Sequence, residues 1–431
     1  MSVRTGRVFG TALAALILTA AAEPESRLEQ YQRLRTESVA ASQAGDLATA
    51  EARMEAAHDL FPTSPGTLIR LSLIEIAAGK RQEALDHLWD YVHLGLSWDF
   101  SEPRFSVLAE DPDPKIRANF IALASVSGAN KVAYMTGAQP VVTLPDPGEV
   151  YEGLARQGKG WLISSVSKRS ITRYDPAGGF TPFFTPDNET GGLFGMAADP
   201  EHNVLWVAES RGPGIPGSTG QARTGLLKLN LKTGNLIARF FVADDGGKHQ
   251  IGDILLGPDG TVYASDSLGS TIWRLAPGSP KMERIATSRE IASAQGMTLC
   301  PDGKALVVAD YSSGLHRIDL ADGGDELIGG VKAALQGTDG LLALPGGDII
   351  GIQNGVTPQR VLRLTLSAGC RSVTAIKVLA AGGRLDDASL GALGEGDVVV
   401  VGQSGWAYRD GDGKLADGEH DPARLLTIPL T

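Results

Sequence analysis

Cysteine is almost absent from this chain of 431 residues, which contains Cys300 and Cys370 and no others. Two cysteines are too few for a disulfide framework, so packing of apolar side chains has to hold the fold. The two residues fall in different copies of the repeat described below. We therefore expect Cys300 to be a buried thiol, while a bridge to Cys370 stays an open alternative.

The chain also lacks an excess of basic residues, with 39 Lys and Arg against 50 Asp and Glu and a net charge of −11. This balance, without any basic cluster, excludes nucleic acid and anionic lipid as the main partner. The sequence also lacks the HExxH, Walker and dinucleotide-binding motifs. Ser404 lies in GQSGW, which does not have the spacing of a nucleophile elbow, so we reject a serine hydrolase.

No apolar run reaches the roughly 20 residues that span a bilayer. Residues 1–22 resemble a secretory signal, because Arg4 and Arg7 precede an apolar stretch at 9–19 and three alanines at 20–22. We expect an exported protein, periplasmic or secreted, with no membrane span after removal of the signal. An uncleaved membrane anchor is the alternative.

Glycine is abundant, with 54 residues, and marks the turns of a recurring phrase. The clearest copy, at 252–275, reads GDILLGPDGTVYASDSLGSTIWRL: three strands separated by a Pro-Asp-Gly turn and a glycine turn. Five further copies have the same order of strands and turns, at 152–174, 195–231, 295–320, 339–366 and 387–408. Spacings of roughly 42–58 residues are typical of propeller blades. We therefore predict a mainly β fold, a six-bladed propeller over residues 149–431.

In residues 23–126 the apolar residues recur at the spacing of a helix instead. The tripeptide Ala44-Gly45-Asp46 is followed later by a similar one, Ala78-Gly79-Lys80. This offset of about 34 residues resembles tetratricopeptide repeats, over roughly 30–98. A last helix is expected at 113–124. Residues 127–148 are predicted to be a linker with one strand, a candidate for closing the ring. The helices have either a protein-partner role or a packing role.

The residue that opens each copy should lie at one mouth of the propeller channel, because the first strand of a blade lines the axis. These residues are Glu152, Phe194, Gly252 with Asp253, Gln295, Asp339 and Asp387. Carboxylates gathered on a narrow axis repel one another unless a positive group is present. A hard cation such as Ca²⁺, which binds oxygen ligands, would relieve that repulsion.

These motifs (EGL at Glu152, GDI at Gly252, QGM at Gln295 and DGL at Asp339) resemble the gluconolactonase / senescence marker protein (regucalcin) family. The resemblance covers roughly residues 148–410. It implies a lactone or ester substrate and a divalent cation on the axis, with Ca²⁺ favoured over Zn²⁺.

The resemblance also implies roles for particular residues. Glu152, Gln295 and Asp339 would hold the metal, Gln295 would also orient the substrate, and Asp253 would activate water. Gly252 and Gln295 stand where the family has Asn, so one ligand is missing and one is longer.

Further substrate contacts are predicted at His249, Gln353, Asn354 and Asp387, which lie near the same mouth. For His249, a general base and an exposed loop histidine are the alternatives. Asp266 and Asp310 also end second strands, and we expect them to hold turns rather than substrate.

Two hypotheses about function remain. One is an exported, metal-dependent lactonase-like or esterase-like hydrolase with an axial site. The other is a non-catalytic propeller that binds a ligand or protein, with its helical repeats as a docking module.

Overall fold

The computed structural model describes residues 24–132, 134, 138–218 and 220–430. The predicted signal segment, residues 1–22, lies outside the described residues.

Six antiparallel sheets follow one another along the chain, and their innermost strands contact each other in a closed ring. The prediction of a six-bladed β-propeller is confirmed. The strands, in blade order, are β2 (Tyr151–Gln157), β3 (Gly160–Ser165), β4 (Ser170–Asp175) and β5 (Gly179–Phe184) in blade one; β6 (Gly192–Asp199), β7 (Val204–Arg211), β8 (Arg223–Asn230) and β9 (Leu236–Phe241) in blade two; β10 (Ile251–Leu256), β11 (Val262–Asp266), β12 (Thr271–Leu275) and β13 (Glu283–Thr287) in blade three; β14 (Ala294–Leu299), β15 (Ala305–Asp310), β16 (Gly314–Asp319) and β17 (Asp325–Leu327) in blade four; β19 (Thr338–Ala343), β20 (Ile349–Gln353), β21 (Arg360–Leu366) and β22 (Ser372–Ala381) in blade five; and β23 (Gly391–Leu393), β24 (Asp397–Gln403) and β25 (Arg424–Pro429) in blade six.

Blade six is completed by a strand from the other end of the propeller sequence. Strand β1 (Gln139–Thr143) pairs antiparallel with β25, with Gln139 opposite Thr427. This is the strand predicted in the linker, and it closes the ring. A second short strand, β18 (Gly329–Gly330), adds to the outer edge of blade five by pairing in parallel with β22.

The sheets are buried on both faces, because each blade packs against the next. Strands β3, β15 and β20 have no exposed residue. Apolar clusters lie between neighbouring blades, such as Leu162, Leu193, Leu205 and Leu227 between blades one and two. This stacking removes apolar area from water on both sides of every sheet, which is the main stabilising contribution.

The cysteines do not behave as expected. Cys300 follows β14, Cys370 precedes β22, and the two form a disulfide between blades four and five. The expectation of a buried free thiol at Cys300 is wrong. Although the residues are 70 positions apart, their Cα atoms lie 6.0 Å from each other. Blade stacking brings them together, which the sequence separation does not reveal.

The N-terminal segment contains six α-helices among its described residues: α1 (Arg27–Gln43), α2 (Leu47–Leu60), α3 (Pro65–Ala77), α4 (Arg81–His93), α5 (Ser106–Ala109) and α6 (Pro114–Lys131). Gly45 and Gly79 end α1 and α3 with the same left-handed φ of 80°, a conformation that favours glycine. The helix pairs therefore repeat as expected, while their assignment as tetratricopeptide repeats stays a prediction. Helix α6 continues past the expected end at residue 124. None of the helices in the described ranges is long and apolar enough to span a membrane.

The helices pack on blades three to five. Glu290, in the loop after β13, accepts hydrogen bonds from the first backbone N–H groups of α1, those of Arg27 and Leu28. Arg360, at the start of β21, donates to the carbonyl of Leu94 at the end of α4, at 2.9 Å. These loops lie at the end of the propeller where the inner strands begin, which we call the mouth face. The helical segment therefore occupies one side of the mouth face.

Candidate functional site

Five inner strands are interrupted by β-bulges at the same level of the channel. In each of these blades the first strand pairs with the second, and the residues of the first strand left out of that pairing are 152–153, 194–195, 252, 295–296 and 339. A bulge releases residues from ladder pairing and re-aims their side chains. The bulged residues include those predicted to open the first five copies, so the sequence alignment of these five blades is confirmed. Asp387, the predicted opener of the sixth copy, lies before the inner strand of blade six instead.

Two glycines in these bulges are required by close approach of the neighbouring blades. A Cβ added to Gly153 would lie 2.3 Å from the Phe194 carbonyl oxygen. A Cβ added to Gly195 would lie 2.3 Å from Oδ1 of Asp253. Because Gly195 has no side chain, the Asp253 carboxyl fits against the inner strand of blade two.

Glu152 is buried on the axis beneath a tryptophan. Its Oε2 accepts a hydrogen bond from Nε1 of Trp406, at 2.5 Å. The Trp406 ring lies nearly parallel to that of Phe194, with centroids 6.5 Å apart. Burial, followed by the negative charge of Asp339, raises the pKa of Glu152 well above its usual value. The Trp406 hydrogen bond opposes this shift without reversing it.

Asp339 forms the opposite side of the cluster. Its Oδ2 accepts from Nδ2 of Asn354 at 2.7 Å, and the same nitrogen donates to the Ala388 carbonyl at 2.8 Å. Burial and the charge of Asp387 raise the pKa of Asp339 to about 6, against the effect of the Asn354 hydrogen bond. Oδ1 of Asn354 is buried and accepts no hydrogen bond from the described residues. The site therefore has an unsatisfied oxygen beside its acids.

Asp253 lies where the acid cluster meets an apolar cavity of about 270 Å³ along the channel. The cavity is lined by inner-strand residues, among them Met196, Leu255 and Met297. Burial, with a further contribution from Asp339, raises the pKa of Asp253 to about 7, although its Oδ1 accepts from the Ile254 N–H at 2.8 Å. The register places the bulge at Gly252 and leaves Asp253 near the other axial acids.

The two positions that depart from the family pattern lie side by side. Gln295 donates from Nε2 to Oγ of Ser293, at 2.8 Å. Its Oε1 is 3.9 Å from the Cβ that a side chain at Gly252 would have, and apart from the chain neighbours of Gly252 no other described residue lies within 4 Å of that point. Open space therefore takes the place of a ligand at Gly252, with an amide oxygen beside it.

Asp387 positions the turn that carries Trp406. Its Oδ2 accepts from Oγ of Ser404 at 2.8 Å and from the N–H groups of Gly405 and Ala407 at 2.7 and 3.1 Å. Sequence reasoning predicted Asp387 as a substrate contact and missed Trp406 altogether. The only available signal was its place just after Gln403-Ser404, the end of a second strand that approaches the mouth.

The other predicted contacts have different surroundings. The Gln353 amide is fully buried and donates to the carbonyls of Ala334 and Gln336, both at 2.8 Å, while its oxygen accepts from Arg360. His249 lies at a separate cavity between blades two and three. A substrate role for either residue stays a prediction.

Asp266 and Asp310 hold loops, as expected. Oδ1 of Asp266 accepts from the N–H groups of Gln250, Leu268 and Gly269. Asp310 accepts from the backbone of the preceding interblade loop and from its own turn. Both side chains fasten a blade to the loop that enters it.

The donor set of the axis suits a hard cation only in part. All the candidate ligand atoms are carboxylate or amide oxygens, which Ca²⁺ accepts and which are not the nitrogen and sulfur ligands typical of structural Zn²⁺ sites. Within the described ranges, however, no three His, Cys, Asp or Glu side chains are grouped so as to hold a metal. A cation on the axis would therefore have two carboxylates, Glu152 and Asp339, and would depend on the amide oxygens of Gln295 and Asn354 and on water.

Comparisons with known proteins give no family. No family model matches the chain. No curated protein matches it significantly either. Three solved propellers are similar in structure. A gluconolactonase from Xanthomonas campestris is 16% identical, with a TM-score of 0.45 over 67% of this chain and 89% of its own. The calcium-binding protein regucalcin from Agrobacterium tumefaciens is 16% identical, with a TM-score of 0.46 over 66% and 92%. A PQQ-bound aldose sugar dehydrogenase from Streptomyces coelicolor is 18% identical, with a TM-score of 0.48 over 68% and 97%. These low identities carry no activity across to this chain, whose fold follows from its own strand pairing.

Proposed function

We propose that this protein is a hydrolase of small lactones or carboxylic esters, with its site at the axial acids and a divalent cation, preferably Ca²⁺, as cofactor. The observation that supports it is the burial of Glu152, Asp253 and Asp339 around one axis, where the charged groups that most raise their pKa values are other carboxyls. Burying these acids together lowers the stability of the folded protein, and such a loss is typical of functional sites.

In the proposed reaction the cation, when bound, polarises the substrate carbonyl and stabilises the negative charge that develops on its oxygen. Glu152 and Asp339 would hold it, with the Gln295 and Asn354 amide oxygens. Asp253 serves as general base, because a pKa near 7 lets its carboxylate accept a proton from the attacking water at neutral pH. Trp406 and Phe194 cover the Glu152 side of the site and exclude bulk water from it.

Metal analysis of the purified protein tests the cofactor. We expect about one divalent ion per chain after dialysis against Ca²⁺. The Glu152→Ala/Asp339→Ala double variant should lose it. The matched control is Asp412→Ala/Asp417→Ala, which removes two exposed acids of the loop after β24. If the Glu152→Ala/Asp339→Ala variant retained its metal, the axial site would be excluded. If the control lost its metal, the ion would be assigned to the loop after β24.

A panel of lactones and aryl esters tests the reaction. Wild-type hydrolysis should be removed by a chelator, restored by Ca²⁺, and lost in Asp253→Asn. Activity that persists in Asp253→Asn would remove this residue from the role of base, and no activity on any substrate would favour a second function.

The second candidate function is a non-catalytic propeller whose helices bind a protein partner. Two observations favour it: Gly252 offers no ligand, and Trp406 covers Glu152. The helical segment also has a groove of about 220 Å³ lined by Val39, Met54, Leu73 and other residues of α1 to α3. A partner that binds the full chain and loses binding on Leu73→Asp, without any effect on ester hydrolysis, would support this function.

We further propose that the protein is exported, periplasmic or secreted, on the basis of residues 1–22. The N-terminal sequence of the mature protein tests this, because cleavage should leave Glu23 as the first residue, whereas retention of Met1 in the exported fraction would contradict cleavage.

A further inference from the structure

A second cavity opens on the mouth face, between blades two and three. Its volume is about 790 Å³, against about 270 Å³ for the axial channel. The segments that surround it are the end of β7, the start of β8, the loop from β9 to β10 and the turn after β11. A cavity of this size is in the range of sites for small organic molecules.

The lining combines an apolar wall with cationic side chains. Ile215, Val242 and Leu268 supply the apolar part, and Leu268 is 55% exposed. Arg211 and Lys248 supply charge. Lys248 forms no hydrogen bond or ion pair with a described residue, and Arg211 has only a hydrogen bond of 3.3 Å to the Asn188 carbonyl. Among the described residues neither cation forms an ion pair with a carboxylate, although the charge of Arg211 also acts on the buried Glu209 carboxyl.

Apart from His249, the other charged side chains of the lining are one basic residue, Arg223, and two acidic residues, Glu189 and Asp244. Arg223 pairs with Glu189 at 2.8 Å and stacks on Phe241. Asp244 accepts from the Gly246 N–H in its own turn. In the lining, Arg211, Arg223 and Lys248 outnumber Glu189 and Asp244 by one, so the cavity has a small surplus of positive charge, opposite in sign to the axial site on the same face.

One wall is held rigid by His249. Its Nδ1 lies 2.5 Å from Oδ2 of Asp266 and its Nε2 lies 2.8 Å from Oδ1 of Asp245. A carboxylate on each side therefore holds the ring through both of its nitrogens. Arg284 pairs with the other oxygen of Asp245, at 2.5 Å. The loop that carries Lys248 is therefore fastened to blade three before any ligand binds, which lowers the entropy cost of binding.

We propose that this cavity binds a small organic anion with an apolar body, of the class of a medium-chain carboxylate. The anionic group lies between Arg211 and Lys248, and the apolar body lies against Ile215, Val242 and Leu268. The inference does not depend on the proposed hydrolase function.

Isothermal titration with decanoate, below its micelle concentration, tests the proposal. Wild type should bind about one decanoate, and affinity should fall with added salt because the charges are partly exposed. Decyltrimethylammonium, which has the same tail with a positive head, and acetate, which has no tail, should each bind about tenfold more weakly or worse. Equal binding of decyltrimethylammonium would overturn the proposal.

The variant Arg211→Gln/Lys248→Gln should weaken decanoate binding about tenfold or more. The control, Lys159→Gln/Lys377→Gln, removes two exposed lysines elsewhere on the propeller and should bind as wild type. Leu268→Gln should also weaken binding, while Asp339→Asn should leave it unchanged. Unchanged affinity in the Arg211/Lys248 variant, or loss in Asp339→Asn, would place the ligand elsewhere and refute the proposal.

Discussion

Replacement of Asp253 by Asn should stabilise the protein at neutral and alkaline pH. The carboxyl is buried, and its pKa rises on folding from the ordinary 3.8 to about 7. Between those pH values the folded protein holds a proton that the unfolded chain has released, so this group makes stability fall as pH rises through that window. At about 1.36 kcal/mol per pKa unit, the cost above pH 7 is about 4 kcal/mol.

Asn has nearly the same shape and carries no charge. Its Oδ1 can keep the 2.8 Å hydrogen bond from the Ile254 N–H. The gain in the free energy of unfolding should therefore approach about 4 kcal/mol at pH 8 and vanish below pH 4. Urea unfolding of both proteins at pH 4 and pH 8, with a chelator present, measures the difference. An equal m-value in the two proteins would show that the change lies in stability.

The control is Asp259→Asn in the Pro258-Asp259-Gly260 turn. Hydrogen bonds from Thr261 lower the pKa of Asp259, so this variant should lose stability above pH 4. If Asp253→Asn gave the same difference at pH 4 and pH 8, or lowered stability at pH 8, the argument that a desolvated carboxyl is retained on the axis would fail. On the proposed function the stabilised variant also loses its general base, and kcat should fall by about 10²–10⁴-fold.

Three further predictions concern the axis, the disulfide and the helical segment. Gly252→Asn should bind Ca²⁺ about tenfold more tightly by titration calorimetry, because the new amide enters open space beside Gln295; weaker binding would contradict this. Cys300→Ser/Cys370→Ser should lower the free energy of unfolding in urea by about 4 kcal/mol, since the bond closes a loop of 70 residues. Two free thiols in a thiol titration of the denatured wild type would disprove the bond. Arg360→Ala should lower the free energy of unfolding by about 3 kcal/mol, because it leaves buried carbonyl and amide oxygens without donors. The variant should also make the helical segment more sensitive to limited proteolysis, and an unchanged melting temperature would refute this role of Arg360.

Much of the fold was predictable because its determinants are local and repeated. The Pro258-Asp259-Gly260 turn and its counterparts specify tight turns by their backbone preferences, and their spacing specifies one blade per copy. The same alignment predicted that Glu152, Gln295 and Asp339 occupy equivalent levels, and the bulges in the inner strands confirm it.

The chemistry of the site was less predictable, because it depends on contacts between blades. Trp406 reaches Glu152 only because Asp387 holds its turn in blade six against blade one. Equally, the buried position of Asp253 depends on the neighbouring blade, because a Cβ at Gly195 would lie 2.3 Å from its Oδ1. Neither relation has a signature in the spacing of residues along the chain.

The amino-acid sequence by itself determined six blades, a helical segment before them, and acids at one level of a common axis, because period, turn chemistry and side-chain alternation are encoded within each copy. Only the tertiary structure decided that the cysteines are bonded, that the helices pack beside the channel mouth, and that a cationic cavity lies next to an acidic axis. Those features arise when the ring closes and brings together residues far apart in the chain. Their charges then interact through a protein interior that screens them less than water does.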